Sequence, residues 1–122
     1  MSMDGSIGFV EVVGLVAAIE VADAMAKAAR VSVKTITTDA AGGVTVICEG
    51  DLAAVGAAVD AGKAAGSRLG ECVGTNVIGR PDESLEALLT DKIGSVFAEE
   101  KAAAAIAAAK PAKELASKAV KK

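Results

Sequence analysis

Few residues in this chain are equipped for chemistry, and their types and spacing limit what that chemistry would be. There is no histidine, so the commonest general base and the commonest transition-metal ligand are both missing. Cys48 and Cys72 are the two thiols. Two cysteines make neither a disulfide framework nor a four-ligand metal site, so both are expected to be buried, reduced and packed as small hydrophobes. Carboxylates such as Glu11 and Glu20 could in principle act as acids or bases, but solvated strand-end or helix positions are their expected fate. No G-x-x-x-x-G-K-S/T phosphate loop and no G-x-S-x-G nucleophile turn occurs. The expectation is a protein that is not an enzyme and carries no metal or cofactor.

The elements that would position any site must fit into 122 residues, enough for one domain. Phe9 and Phe97 are the only aromatics, and most other apolar residues are Ala, Val and Gly. A core of such small side chains buries modest area per residue, so its layers must pack closely or continue across subunits. No apolar run reaches the roughly 20 residues that span a bilayer. The start, Met-Ser-Met-Asp-Gly, lacks a basic and apolar leader, and a cytoplasmic chain is expected. Charge is divided along the sequence. Residues 1–89 hold six Lys/Arg against twelve Asp/Glu, a net −6, whereas residues 90–122 hold seven Lys against four acids, a net +3. An acidic body nearly free of aromatics lacks the footprint and stacking surface of a nucleic-acid binder.

Ser6–Val13 is short and β-branched, and predicts a strand. Leu15–Arg30 predicts a helix, with Leu15, Ile19, Ala22, Ala26 and Ala29 as its apolar stripe and Glu20, Asp23, Lys27 and Arg30 opposite. Val31–Thr37 and Val44–Glu49 form a hairpin around residues 38–43, where glycines permit positive φ. Asp51 is a candidate N-cap for a second helix with Leu52, Val55, Val59, Gly62 and Gly66 on its apolar side. Leu69–Ile78 gives a last strand whose glycines suggest a bend or bulge. Asp82–Leu89 gives a short helix.

That order implies an α+β, ferredoxin-like βαββαβ sheet with two helices on one face. The second face then needs cover, from the short C-terminal helix or a neighbouring subunit. The domain is expected over residues 1–89, followed by an Ala/Lys-rich extension over 90–122 that is helical or disordered. Within it, Pro111 ends a low-complexity stretch. Residues 112–122 are amphipathic but too short to be a stable helix alone.

Three segments carry a resemblance: G-F-V-E-V-V-G-L-V-A-A-I-E-V-A-D-A-M-A-K-A-A at 8–29, G-G-V-T-V-I-C-E-G-D-L-A-A-V-G-A-A-V-D-A-G at 42–62, and V-I-G-R-P at 77–81. They resemble the hexamer-forming shell proteins of bacterial microcompartments, including carboxysomes and the propanediol- and ethanolamine-utilisation compartments. The resemblance covers nearly all of residues 5–89. It implies a homohexamer that tiles with neighbouring hexamers and other shell proteins in a cytoplasmic compartment shell. Lys27 and Arg80 match the residues at the hexamer–hexamer edge. Asp39, Ala40, Ala41, Gly42 and Gly43 match the loop that lines a central pore for small metabolites. The serine hydroxyls of a common Gly-Ser-Gly pattern are absent from that loop.

An inward Asp39 would ring the axis with carboxylates and disfavour anions. Neighbours about 10 Å apart would repel by about 0.4 kcal/mol in water. An outward Asp39 would leave the amides of Ala41 and Gly42 to the lumen and weaken or reverse the preference. The sequence leaves both open. The tail resembles the short helices by which enclosed enzymes attach to shells, with Leu115, Ala119 and Val120 as candidate docking residues; a solubilising tail is the alternative. The rival functional class is a trimeric ferredoxin-like regulatory protein binding a metabolite or nucleotide between subunits. No membrane or nucleic-acid partner is expected.

Overall fold

The chain alternates strands and helices in a βαββαβ order, and the computed structural model describes residues 5–89 of it. The extension from residue 90, with Leu115, Ala119 and Val120, lies outside the described residues. The elements are β1 (Ser6–Val13), α1 (Leu15–Ala28), β2 (Val31–Thr38), β3 (Gly43–Gly50), α2 (Leu52–Leu69), β4 (Cys72–Ile78) and a one-turn α3 (Leu85–Ala87). The sheet order is β2-β3-β1-β4, and every pairing is antiparallel. This is the ferredoxin-like arrangement the element order implies.

Alternation along the strands decides what each face holds. Val10 and Val12 of β1 join Val44, Val46 and Cys48 of β3 under both helices, where they meet Ala18, Val21 and Met25 of α1 and Val55, Ala58 and Val59 of α2. The helices sit close because two positions on α2 have no side chain. A Cβ on Gly62 would lie 2.8 Å from Met25 Cγ, and one on Gly66 would lie 2.8 Å from Val12 Cγ1 and Val21 Cγ2. Each glycine costs about 1 kcal/mol in helix propensity, and the tight core it permits offsets that. Cys48 is buried as expected, while Cys72 on edge strand β4 is only partly so.

Several expectations shift. The buried stripe of α1 is Ala17, Ala18, Val21 and Met25; Leu15 (51 % exposed) and Ile19 (48 %) face outward with Val16 (78 %). The buried side carries Ala17, Ala18 and Val21 with the unbranched Met25, because a helix held this close to its neighbours leaves little room for more Leu or Ile. Leu52 at the start of α2 is likewise exposed, and Asp51 occupies the N-cap without a side-chain hydrogen bond. Leu69 ends α2, so β4 begins at Cys72. The expected bulge is present, as a register shift between Glu11 and Val12 opposite Val73. On the second sheet face, Leu89 just beyond α3 is buried against Ile7 and Ile47, with Phe9 packed beside them. The C-terminal part of the domain thus supplies some of the cover that face needs.

Candidate functional site

The antiparallel order sets where each candidate residue lies. β1 and β2 run one way and β3 and β4 return, so the 39–42 loop sits at one end of the sheet. The C-terminal turn of α1 and the segment after β4 sit at the other end. Strands of eight residues are about 25 Å long, which separates Lys27 and Arg80 from the loop by roughly that distance. Lys27 belongs to α1, which packs toward β2. Arg80 follows β4, on the opposite flank. The fold therefore gathers 39–43 into one loop and places Lys27 and Arg80 along the far end without joining them.

The loop closes on its own acid. Asp39 Oδ1 accepts the N–H groups of Ala41 and Gly43, both at 2.8 Å, and the Asp39 N–H donates to the Gly43 carbonyl at 3.0 Å. Gly42 takes φ +94°, a conformation that glycine adopts at little steric cost. Its carbonyl accepts the Gly14 N–H at 3.0 Å, which ties the loop to the β1–α1 junction. This bonding fixes the Asp39 carboxylate relative to its own loop. The carboxylate stays at the loop and occupies two of its amides.

Glu11, expected from sequence only as a solvated carboxylate, also reaches the loop. A Cβ built on Gly43 would lie 2.7 Å from Asp39 Oδ2 and 2.9 Å from Glu11 Oε1, so the two carboxylates converge over Gly43. The available signal was strand alternation. Glu11 shares the second sheet face with Val13, whose partner across the ladder is Gly43.

At the far end, the Lys27 ammonium lies 2.7 Å from Asp23 Oδ2 in an exposed i,i+4 pair. The hydrogen bond and charge of Asp23 hold its pKa above the usual lysine value. Arg80 makes no ion pair among the described residues. It lines an open groove of about 950 Å3 with Ser6, Asp51, Leu52 and Asp82. Ser6 donates to the Gly79 carbonyl at 2.8 Å and fixes the chain entering that groove. Ser84 donates through N–H and hydroxyl to Asp82, whose pKa is lowered as a result.

On the second sheet face, Lys34 Nζ lies 3.7 Å from the largely buried Glu49 Oε2. That oxygen has no hydrogen bond, so the contact is ionic only. Among the described residues there is no group of three or more potential metal ligands, and no helix long and apolar enough to cross a membrane.

Exposed apolar side chains gather at the loop end. Val13, Leu15, Val16 and Ile19 cluster at the β1–α1 junction, with Leu69 and Val73 at the α2–β4 junction; a Val13 N–H to Glu71 carbonyl bond of 3.0 Å joins the two junctions. Leu52 and Leu88 are the other large apolar side chains exposed among the described residues.

These features describe a small α+β domain, with a self-closed loop beside a collar of exposed apolar side chains at one end and exposed cations at the other. Residues 6–81 match the BMC domain family. The chain is 47% identical over 88 residues to the bacterial microcompartment shell protein EutK of Escherichia coli K12, covering 72% of this chain and 53% of EutK. It is 48% identical over 84 residues to the shell protein PduA of Salmonella typhimurium LT2, covering 69% of this chain and 89% of PduA. A crystal structure of a microcompartment protein from Desulfitobacterium hafniense DCB superposes with a TM-score of 0.62 at 32% identity, over 69% of this chain and 46% of that one. The chain belongs to the BMC domain family, whose matched members are structural proteins of bacterial microcompartment shells, and this family assembles with other shell proteins. It spans about half the length of the EutK proteins it matches (53%).

Proposed function

We propose that this chain is a non-enzymatic tile of a microcompartment shell within the cytoplasm: a homohexamer with the 39–43 loop at its axis and Lys27 and Arg80 on its rim. The observation that carries this is the opposite placement of loop and cations along one sheet. A ring needs one end at the axis, one at the rim and two lateral flanks that meet. The flanks here are unlike, as a head-to-tail ring interface requires. The β2 edge carries Lys34 at a register irregularity, whereas Val73, Gly74, Thr75 and Asn76 on β4 are consecutive, uncharged and exposed. The apolar collar beside the loop supplies contact area near the axis.

At the rim, Arg80 beside Asp51, Asp82 and Glu83 in one groove presents both signs of charge, which suits contact with another copy of the same edge. Small molecules would cross at the loop, discriminated by diameter, lining and charge with no covalent step. For the 90–122 extension the proposed use is attachment to enclosed enzymes. Native mass determination and negative-stain microscopy test the tile. Six copies that form flat arrays are expected. A chain that stays monomeric at high concentration, or rings that never tile, would overturn the proposal.

A further inference from the structure

Resting on that ring, we infer that Asp39 and Glu11 make the pore mouth selective against anions, so that the molecules it passes are neutral or cationic. Two observations point the same way. Loop amides are what an anion would need from a lining without cationic side chains, and Asp39 Oδ1 already holds those of Ala41 and Gly43 at 2.8 Å. The second Asp39 oxygen and Glu11 Oε1 both crowd the Gly43 Cα, within 2.9 Å of where its Cβ would stand.

Each subunit thus brings two carboxylates to the loop and withdraws two donors. Among the described residues, no lysine or arginine is left at the loop to offset them. Lys34 is engaged with Glu49 (3.7 Å), and Arg68, at the loop end of α2, lies 4.0 Å from Glu20. Gly43 shares the second sheet face with Thr45, Ile47 and Glu49, so both carboxylates stand on that side of the loop. They charge the mouth that opens on the second face, while Ala40, Ala41 and Gly42 form the neutral neck. Repeated around a ring, carboxylates near a low-dielectric wall raise the local concentration of cations and lower that of anions.

The test uses the full chain as hexamers in a planar bilayer, with K+ and Cl− as probes and reversal potentials in a salt gradient as the readout. Native mass measured on the same samples reports the ring separately. Asp39→Asn keeps an oxygen acceptor for Ala41 and Gly43, and with Glu11→Gln it removes charge while retaining the loop's geometry. The expected result is a K+ over Cl− permeability ratio on the order of tenfold near 0.01 M salt. The ratio should fall toward one in the double variant, and also near 1 M salt, where the screening length shrinks to about 3 Å. Intact rings with a ratio at or below one, or a ratio that the double variant does not move, would overturn the inference. Absence of rings would overturn the ring reading beneath it.

Discussion

At the scale of single residues, Asp39 acts on its own loop. It is exposed, yet it accepts two backbone N–H groups at 2.8 Å that are otherwise left to water. Hydrogen bonds to an ionised acceptor in such a setting contribute about 1 kcal/mol net. Asp39→Ala should therefore lower unfolding stability by about 1 kcal/mol in urea titration, while Asp39→Asn should cost less than half of that. The thiols offer a second comparison. Burial pushes the Cys48 pKa up, whereas Cys72 is partly exposed on β4. A thiol reagent should modify Cys72 in the native protein and reach Cys48 only on unfolding. Because the folded-state pKa of Cys48 is raised, its contribution to stability is complete below the unfolded thiol value of about 8.5. That contribution is lost as pH rises through the higher folded value. A decline in unfolding free energy on going above pH 9, reduced in Cys48→Ala, would show it.

At the scale of elements, the close approach of α1 and α2 rests on absent side chains. A methyl on Gly66 would meet Val12 and Val21 at 2.8 Å, whereas one on Gly56 of the same helix meets nothing within 4 Å. Gly66→Ala should destabilise by about 1–2 kcal/mol. Gly56→Ala should stabilise by up to about 1 kcal/mol, and thermal unfolding of the pair checks both. The same helices show where the sequence was legible. Strand and helix order followed from β-branched runs, turn glycines and 3–4 spacing, and the bulge near Val73 followed from the glycines around it. The buried side of α1 did not follow. Periodicity assigned Leu15 and Ile19 to the core because they fall at 3–4 spacing with Ala22, Ala26 and Ala29. The space beneath α1 is filled by Ala17, Ala18, Val21 and Met25, a fit set by α2 and the sheet together. The loop was located by its glycines and by resemblance, but the Asp39 bonds to Ala41 and Gly43 and the approach of Glu11 depend on a ladder register that the sequence does not state.

At the scale of the whole molecule, the residues proposed for axis and rim lie at opposite ends of the sheet, so their losses should be separable. Ile19→Glu places a charge in the exposed apolar collar beside the loop and should yield monomers by native mass, with an unchanged circular dichroism spectrum. Arg80→Ala leaves that collar untouched and should yield rings of normal mass that no longer form arrays by negative stain. If both variants fail at the same step, the assignment of the two ends to axis and rim is wrong.

The hairpin loop spans a short stretch between Thr38 and Val44, which are already paired in the ladder, and its acid is bonded within the turn. It behaves as an interchangeable cartridge, fastened to the rest of the domain by the strand register and the Gly14–Gly42 bond. Loops of other composition grafted between those two positions should leave rim and core intact. On the proposed ring, co-expressing such grafts would give a mosaic sheet with several kinds of opening.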